Sequence, residues 1–486
     1  MTAFTEFSGL DVVVNSLITL ALIAAPFAMW HALLYKRDPR AAMGWMSVCL
    51  LFPIVGPALY FLFGINRIHH RAQVWKGGSH PRRFIDFERG DVPLSDIPFN
   101  KNRQDDFAPL IRATYALTGL PLLAGNEVAV LRNGEIAYPA MLNAMNTAKN
   151  NIDLSTYIFE NNHFGHAFTE ALCAAVNRGV TVRVIVDAMG ELYSWPRISR
   201  RLSRLGVNVE RFGPPRLGSQ LPGLNLRNHR KLLIVDERIG FTGGMNIGDR
   251  HLVQQGATRQ PTADIQFQFQ GPVVAQLVTG FAQTWQQATG EEPQRSEVEQ
   301  AVFGESRCRV IVDGPDFNLD KLSHVLLGAI AQAKNSIRIM TPYFLPSREM
   351  LAALQTAALR GVAVTLVLPE KNNLVYVHWA MRNMLWELLY YDISVAYQPP
   401  PFNHSKLFIV DGEYLLIGSA NLDPRSLRLN YELGVEIYDK MLAAELEGEF
   451  DALIARSSMV TLAELDSRSL MTRSRDALCW LFSPYL

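Results

Sequence analysis

Two eight-residue stretches hold most of the chemistry this chain can do. One reads His229-Arg230-Lys231-Leu232-Leu233-Ile234-Val235-Asp236 and leads into Gly243-Gly244-Met245-Asn246; the other reads His404-Ser405-Lys406-Leu407-Phe408-Ile409-Val410-Asp411 and leads into Gly418-Ser419-Ala420-Asn421. His, Lys, Asp, Gly and Asn all repeat at an offset of 175 residues, with no insertion inside the motif. At average residue frequencies, five specified residues at fixed spacing arise by chance on the order of once in millions of start positions. Two occurrences in one chain are therefore a repeat. Each copy offers an imidazole, an ammonium and an amide. Facing each other, they would make a site for one phosphate, with cationic donors for its oxygens, one His to attack phosphorus and one to protonate the leaving oxygen.

The elements that position these groups follow from the apolar run after each Lys. It is too short for a helix and rich in branched residues, which predicts a buried strand. Alternation along a strand puts His229 with Lys231, and His404 with Lys406, on one face. Asp236 and Asp411 complete the catalytic motif in sequence but have the opposite parity, and are expected to act as structural hydrogen-bond acceptors. Gly-x-x-Asn then reads as a second strand ending in a turn, from which Asn246 and Asn421 return an amide to the cleft.

These residues resemble the paired H-x-K-x4-D motifs of the phospholipase D superfamily, and within it the bacterial cardiolipin synthases. The resemblance extends from the apolar N-terminal region to the end Phe482-Ser483-Pro484-Tyr485-Leu486. It implies two phospholipase D-like sandwich domains related by a pseudo-twofold. It also implies phosphatidyl transfer between two phosphatidylglycerol molecules through a phosphohistidine, with His229 as nucleophile. An acidic residue after each motif orients a catalytic His in that superfamily, and Asp264 and Glu432 are the candidates. The superfamily often has Gly-Ser where this chain has Gly243-Gly244, so a phosphate-contacting hydroxyl is expected only from Ser419.

Lysine plus arginine and aspartate plus glutamate are balanced at 46 each, which disfavours a nucleic-acid partner. Cys49, Cys173, Cys308 and Cys479 lie far apart and fit a reduced compartment or plain core positions. No P-loop, zinc spacing or dinucleotide fingerprint is present, so neither cofactor nor metal is expected. A hydrolase with the same site and water as acceptor, a superfamily nuclease and an inactive membrane scaffold are the rival readings.

Val12 to Tyr35 and Ala41 to Phe63 contain no charged residue, and each exceeds the roughly 20 residues needed to span a bilayer. With only Lys36-Arg37-Asp38-Pro39-Arg40 between them, residues 1–63 are expected to form a transmembrane hairpin of two helices, 12–35 and 41–63. Pro53, Gly56 and Pro57 leave a re-entrant second segment open. Arg67, Arg71, Lys76, Arg82 and Arg83 outnumber the basic residues of the turn, which places the catalytic region in the cytoplasm, and the resemblance implies that the membrane is a bacterial inner membrane. His69 and His70 are expected at headgroup level.

Residues 64–108 read as a connector. The internal repeat then continues beyond the motifs, because Ala148-Lys149-Asn150 and Ala333-Lys334-Asn335, each followed by Ile, Thr and Phe, are offset by 185. The expected class is α/β, with a first domain at 109–295 and a second at 296–470. In the first, Glu127–Leu131 should be a strand, Asn133-Gly134 a turn, and Pro139 the start of a helix through Lys149. Asn372–Tyr391, Trp195, Pro214–Leu226 and Gln398–Pro401 are candidates to face lipid, and the apolar tail 471–486 an interfacial anchor. Phosphatidylglycerol and membrane lipid are the expected partners. A homo-oligomer is left open.

Overall fold

The computed structural model describes residues 9–36, 38–64, 106–213, 226–254, 258, 260–293, 301–316 and 318–485. Side chains at 9–14, 17, 18, 20, 21, 62, 63 and 485 lie outside that description. So do most of the connector, with His69, His70 and its five basic residues, nearly all of the 214–226 loop, and 294–300 at the expected domain boundary. The chain divides into two compact units, one taking in the described residues up to Gly64 and the other those from Asp106 onward.

In the first unit a helix runs unbroken over Gly9–Tyr35. Asp38 then caps a second helix, Pro39–Leu51, by accepting from the Arg40 N–H at 2.9 Å, with Pro39 in the first turn where its missing N–H costs nothing. The single helix expected at 41–63 is not formed. It breaks at Phe52–Ile54 around Pro53, restarts as Val55–Leu59 and ends in a π turn at Tyr60–Gly64. Pro53 cannot supply an amide to the ladder, and Gly56 lets the short helix fold back, since a Cβ there would lie 2.4 Å from the Val48 carbonyl. Tyr60 closes the hairpin, its hydroxyl 2.8 Å from His31 Nδ1 and its ring edge-on to Trp45. Across the described residues, no helix is long and apolar enough to cross a membrane.

The second unit is built on one mixed sheet of sixteen strands, fourteen of which form two seven-stranded repeats, with the two-residue strands Arg227–Asn228 and Ser458–Met459 outside them. The first repeat contributes β1 (Leu123–Arg132), β2 (Asn151–Thr156), β3 (Thr181–Asp187), β4 (Asn208–Phe212), β5 (Leu232–Val235), β6 (Ile239–Gly243) and β7 (Ile265–Gln270). The second contributes β8 (Ser306–Asp313), β9 (Ser336–Met340), β10 (Ala363–Pro369), β11 (Ser394–Gln398), β12 (Leu407–Val410), β13 (Tyr414–Gly418) and β14 (Asn430–Tyr438). Along the sheet the order is β11-β10-β9-β12-β13-β14-β8-β1-β7-β6-β5-β2-β3-β4. Strands seven apart in number thus hold equivalent places, and the repeats meet where β1 pairs with β8.

The motif strands β5 and β12 are buried throughout, as their branched sequence predicts. Two details differ from expectation. Asn133-Gly134 opens a helix, Asn133–Thr147, and does not turn back into a hairpin; Pro139 lies inside that helix. The helix Ala108–Thr118, which precedes β1 in sequence, packs with Phe107 into the core of the second repeat, where Leu110 joins Val325, Leu326 and Ala329. Asn372–Tyr391 forms the helices Val375–Met384 and Trp386–Leu389. They bury Val377, Met381 and Leu388 but leave Tyr376, Trp386 and Tyr390 exposed. Trp195 is also exposed, whereas Gln398 is buried. The C-terminal segment forms a helix, Leu470–Leu481, docked through Asp476, which Arg382 grips with both Nε (2.7 Å) and Nη2 (2.9 Å).

Candidate active site

Each motif histidine sits two residues ahead of its Lys, at the entrance to β5 or β12. Its place is fixed by the other repeat. Arg227–Asn228 pairs in parallel with Asn430–Tyr431, and Phe402–Asn403 with Thr262–Ala263. The next amide continues each ladder: His229 N–H donates to the Tyr431 carbonyl (2.9 Å) and His404 N–H to that of Ala263 (2.7 Å). One residue further along those partner chains stand Glu432 and Asp264. The result is a reciprocal exchange. His229 Nδ1 lies 2.9 and 3.0 Å from the two oxygens of Glu432, and His404 Nδ1 lies 3.0 Å from Asp264 Oδ2. With Nδ1 held by a carboxylate, Nε2 is the nitrogen left to react in each ring.

Both carboxylates are fully buried, and burial pushes them up, but the hydrogen bond and charge of the paired imidazole outweigh it and leave both below the usual range. Burial pulls both histidines below the imidazole norm; the Lys406 ammonium adds to this at His404, and Glu432 opposes it at His229. Burial likewise brings Lys231 down to about 7 and Lys406 to about 8. Lys231 Nζ donates to the His229 carbonyl at 2.7 Å and Lys406 Nζ to that of His404 at 2.5 Å. An anion bound here would favour the protonated lysines and imidazoles, opposing the effect of burial.

Asp236 and Asp411 lie away from the histidines, at the far ends of β5 and β12. Asp236 accepts from the N–H groups of Lys149, Asn150 and Asn151, and Asp411 from those of Lys334, Asn335 and Ser336. They tie the motif strands to β2 and β9. Asn246 Oδ1 accepts from Ile158 N–H (3.1 Å), while Asn421 is buried with Oδ1 unpartnered among the described residues.

Ser419 does not present its hydroxyl as expected. It is fully buried, donates to Glu432 Oε2 at 2.5 Å and accepts from Leu433 N–H at 3.0 Å, so it braces the carboxylate. Gly244 occupies the matching place, and a Cβ there would lie 2.6 and 2.7 Å from the oxygens of Asp264.

Sequence reasoning passed over three supports. Asn228 and Asn403 share the 175 offset and turn their side chains away from the cleft, to Ser155 Oγ (2.8 Å) and Gln398 Oε1 (2.9 Å). Extending the comparison by one residue would have found them. Arg230 is buried and spans the Glu432 carbonyl, Thr284 Oγ1 and the Asp313 carbonyl; it has no repeat partner to reveal it, since Ser405 stands in the second copy.

Among the described residues no cluster of His, Cys, Asp and Glu could hold a metal ion. The model of the family described as cardiolipin synthase, PLD-like domain, matches residues 141–285 and 326–454, and that of a phospholipase D-nuclease N-terminal family matches 23–64. Cardiolipin synthase A of Proteus mirabilis is 32% identical over 470 residues, covering 94% of this chain and 95% of that protein. The major cardiolipin synthase ClsA of Bacillus subtilis is 30% identical, covering 93% and 95%. The crystal structure of a Haemophilus influenzae phosphatidylserine synthase covers 78% of this chain and 100% of that one, with a TM-score of 0.57 at 16% identity, a likeness of fold. Two motif copies in one strand order, and similarity along nearly the whole length, place this chain in the cardiolipin synthase family of phospholipase D-like proteins.

Proposed function

We propose that this chain is a phosphatidyltransferase that joins two phosphatidylglycerol molecules into cardiolipin and releases glycerol. The observation that carries this reading is the exchange of carboxylates between repeats, which yields one composite site with two imidazoles and two lysines. Repeats 109–295 and 296–470 each supply half of it. His229 Nε2 attacks phosphorus, and the bond to the glycerol oxygen breaks as His404 protonates that oxygen. His404 then takes the proton from the hydroxyl of a second phosphatidylglycerol, whose oxygen displaces His229. Glu432 accepts the hydrogen bond from Nδ1–H and stabilises the charge that develops on the attacking ring. Lys231, Lys406, Asn246 and Asn421 supply the positive field for the phosphoryl oxygens. Asp264 plays the part of Glu432 for His404.

The apolar hairpin within residues 1–63 anchors the chain in a bacterial inner membrane, its broken second segment re-entrant and the catalytic side cytoplasmic. Exposed Ile23, Phe27, Trp30, Leu34 and Leu51 support a lipid environment. The C-terminal helix adds an interfacial contact, because it buries Asp476 and turns Leu470, Met471, Leu478 and Leu481 outward.

Lipid mass spectrometry tests the reading. Purified protein supplied with phosphatidylglycerol should give cardiolipin and free glycerol, and His404→Ala should give neither. Phosphatidic acid as the main product would make the protein a hydrolase instead.

A further inference from the structure

The line of cationic groups at Lys231 and His229 continues one step further. Arg227 belongs to the short ladder that leads into the motif. Residues two apart on extended chain share a face, so Arg227, His229 and Lys231 point one way while Asn228 turns back to Ser155. Tyr157 marks that face. Its ring is edge-on to His229 at 5.2 Å and 5.4 Å from the Lys231 ammonium, and its hydroxyl feels the charges of Arg227 and Arg425.

Arg227 is 7% exposed, and among the described residues its guanidinium makes one hydrogen bond, from Nη1 to the carbonyl of its own neighbour Leu226, at 3.3 Å. Asp187, the carboxylate acting on it most strongly, already accepts from the N–H groups of Met189, Gly190 and Asn228. A buried five-donor cation so poorly matched is costly unless an anion completes it. The second repeat has no such group, since Phe402 takes that place, its ring 6.1 Å from His404.

The reaction proposed above brings two phosphates into one cleft, the reacting one and that of the acceptor lipid, joined in the product through three carbons. Two residues of extended chain span about 6.6 Å, which suits that separation. We infer that Arg227, assisted by Arg425, binds the non-reacting phosphodiester of the acceptor lipid and so selects a phosphate-bearing alcohol over a neutral one. This rests on the transferase reading.

The test is competition for one phosphatidyl-enzyme. Full-length protein in phosphatidylglycerol vesicles containing ethanol partitions between cardiolipin and phosphatidylethanol. Arg227→Gln should lower the cardiolipin to phosphatidylethanol ratio about 10- to 100-fold, as expected for one hydrogen-bonded charge pair. Arg227→Lys should fall between that variant and wild type, and Arg425→Gln should shift the ratio the same way but less. Because both products come from one intermediate, a loss of folded protein or of donor binding leaves the ratio alone. An unchanged ratio in Arg227→Gln and Arg425→Gln overturns the subsite. Wild type that forms phosphatidylethanol but no cardiolipin overturns phosphatidylglycerol as acceptor, and wild type that forms only phosphatidic acid overturns the transferase reading itself.

Discussion

The two halves of the site have the same strand order and the same three reacting side chains, yet they hold them differently. Around His229, Glu432 offers both oxygens to the ring and is itself gripped by Ser419 Oγ and by Asn430 Nδ2 at 3.0 Å. Around His404, Asp264 offers one oxygen, its other accepts, among the described residues, from Ile265 N–H alone, and Lys406 Nζ stands 3.0 Å from the same Nδ1. A braced, two-oxygen carboxylate suits a ring that must hold positive charge through a covalent intermediate. A loosely held ring beside an ammonium suits one that gives and takes a proton.

The largest effects should come from the histidines. His229→Ala and His404→Ala should each lose roughly 10⁴- to 10⁶-fold in transfer between phosphatidylglycerols, the scale seen when a nucleophile or its base is removed. With an activated phosphodiester whose leaving group needs no proton, His404→Ala should still form an adduct on His229, and His229→Ala should form none. Peptide mapping reads this, and wild-type adduct on His404 would invert the comparison.

The carboxylates come next. Glu432→Gln should cost about 10³- to 10⁴-fold, since it removes the charge that stabilises the attacking ring. Asp264→Asn should cost roughly tenfold less; equal losses would mean that bracing has no catalytic role.

For the lysines, Lys231→Ala or Lys406→Ala should lose on the order of 10²- to 10³-fold. In the free enzyme the ammonium groups lose their protons as pH rises through about 7 and about 8. The alkaline limb of kcat/KM should fall there. A limb at ordinary lysine pH would show that burial does not set their charge.

The smallest effect is the most specific. Ser419→Gly removes the hydroxyl that donates to Glu432 and accepts from Leu433 N–H and should cost about fivefold, whereas Gly244→Ser crowds Asp264 and should cost more. The reverse order would show that the two positions are not matched.

Much of this was legible because the motif repeats without insertion and its apolar run admits only a strand. The pairing of carboxylates was not. From Asn246 to Asp264 is 18 residues and from Asn421 to Glu432 is 11, and the extra length lies in the excursion between β6 and β7. Register removes the discrepancy, because Gly243 pairs with Gln266 and Gly418 with Gly434, so each carboxylate stands two residues before its glycine's partner. No local pattern reveals that each serves the opposite histidine, since that is set by ladders between chain segments far apart. The unbroken helix expected at 41–63 fails for a local reason that Pro53, Gly56 and Pro57 already signal in the sequence: a run without charge reports on solvent, while proline and glycine decide whether a helix continues.

One consequence concerns how substrate gets in. Many two-lobed enzymes open by rotating one lobe against the other about a flexible linker. Here β1 and β8 lie side by side in a single sheet, and two further ladders cross between the repeats at the histidines themselves. A hinge at that seam would tear the backbone bonds that aim the imidazoles. The aperture is therefore set at folding, and the traffic of lipid must be governed by segments outside the ladders while the reacting nitrogens stay still.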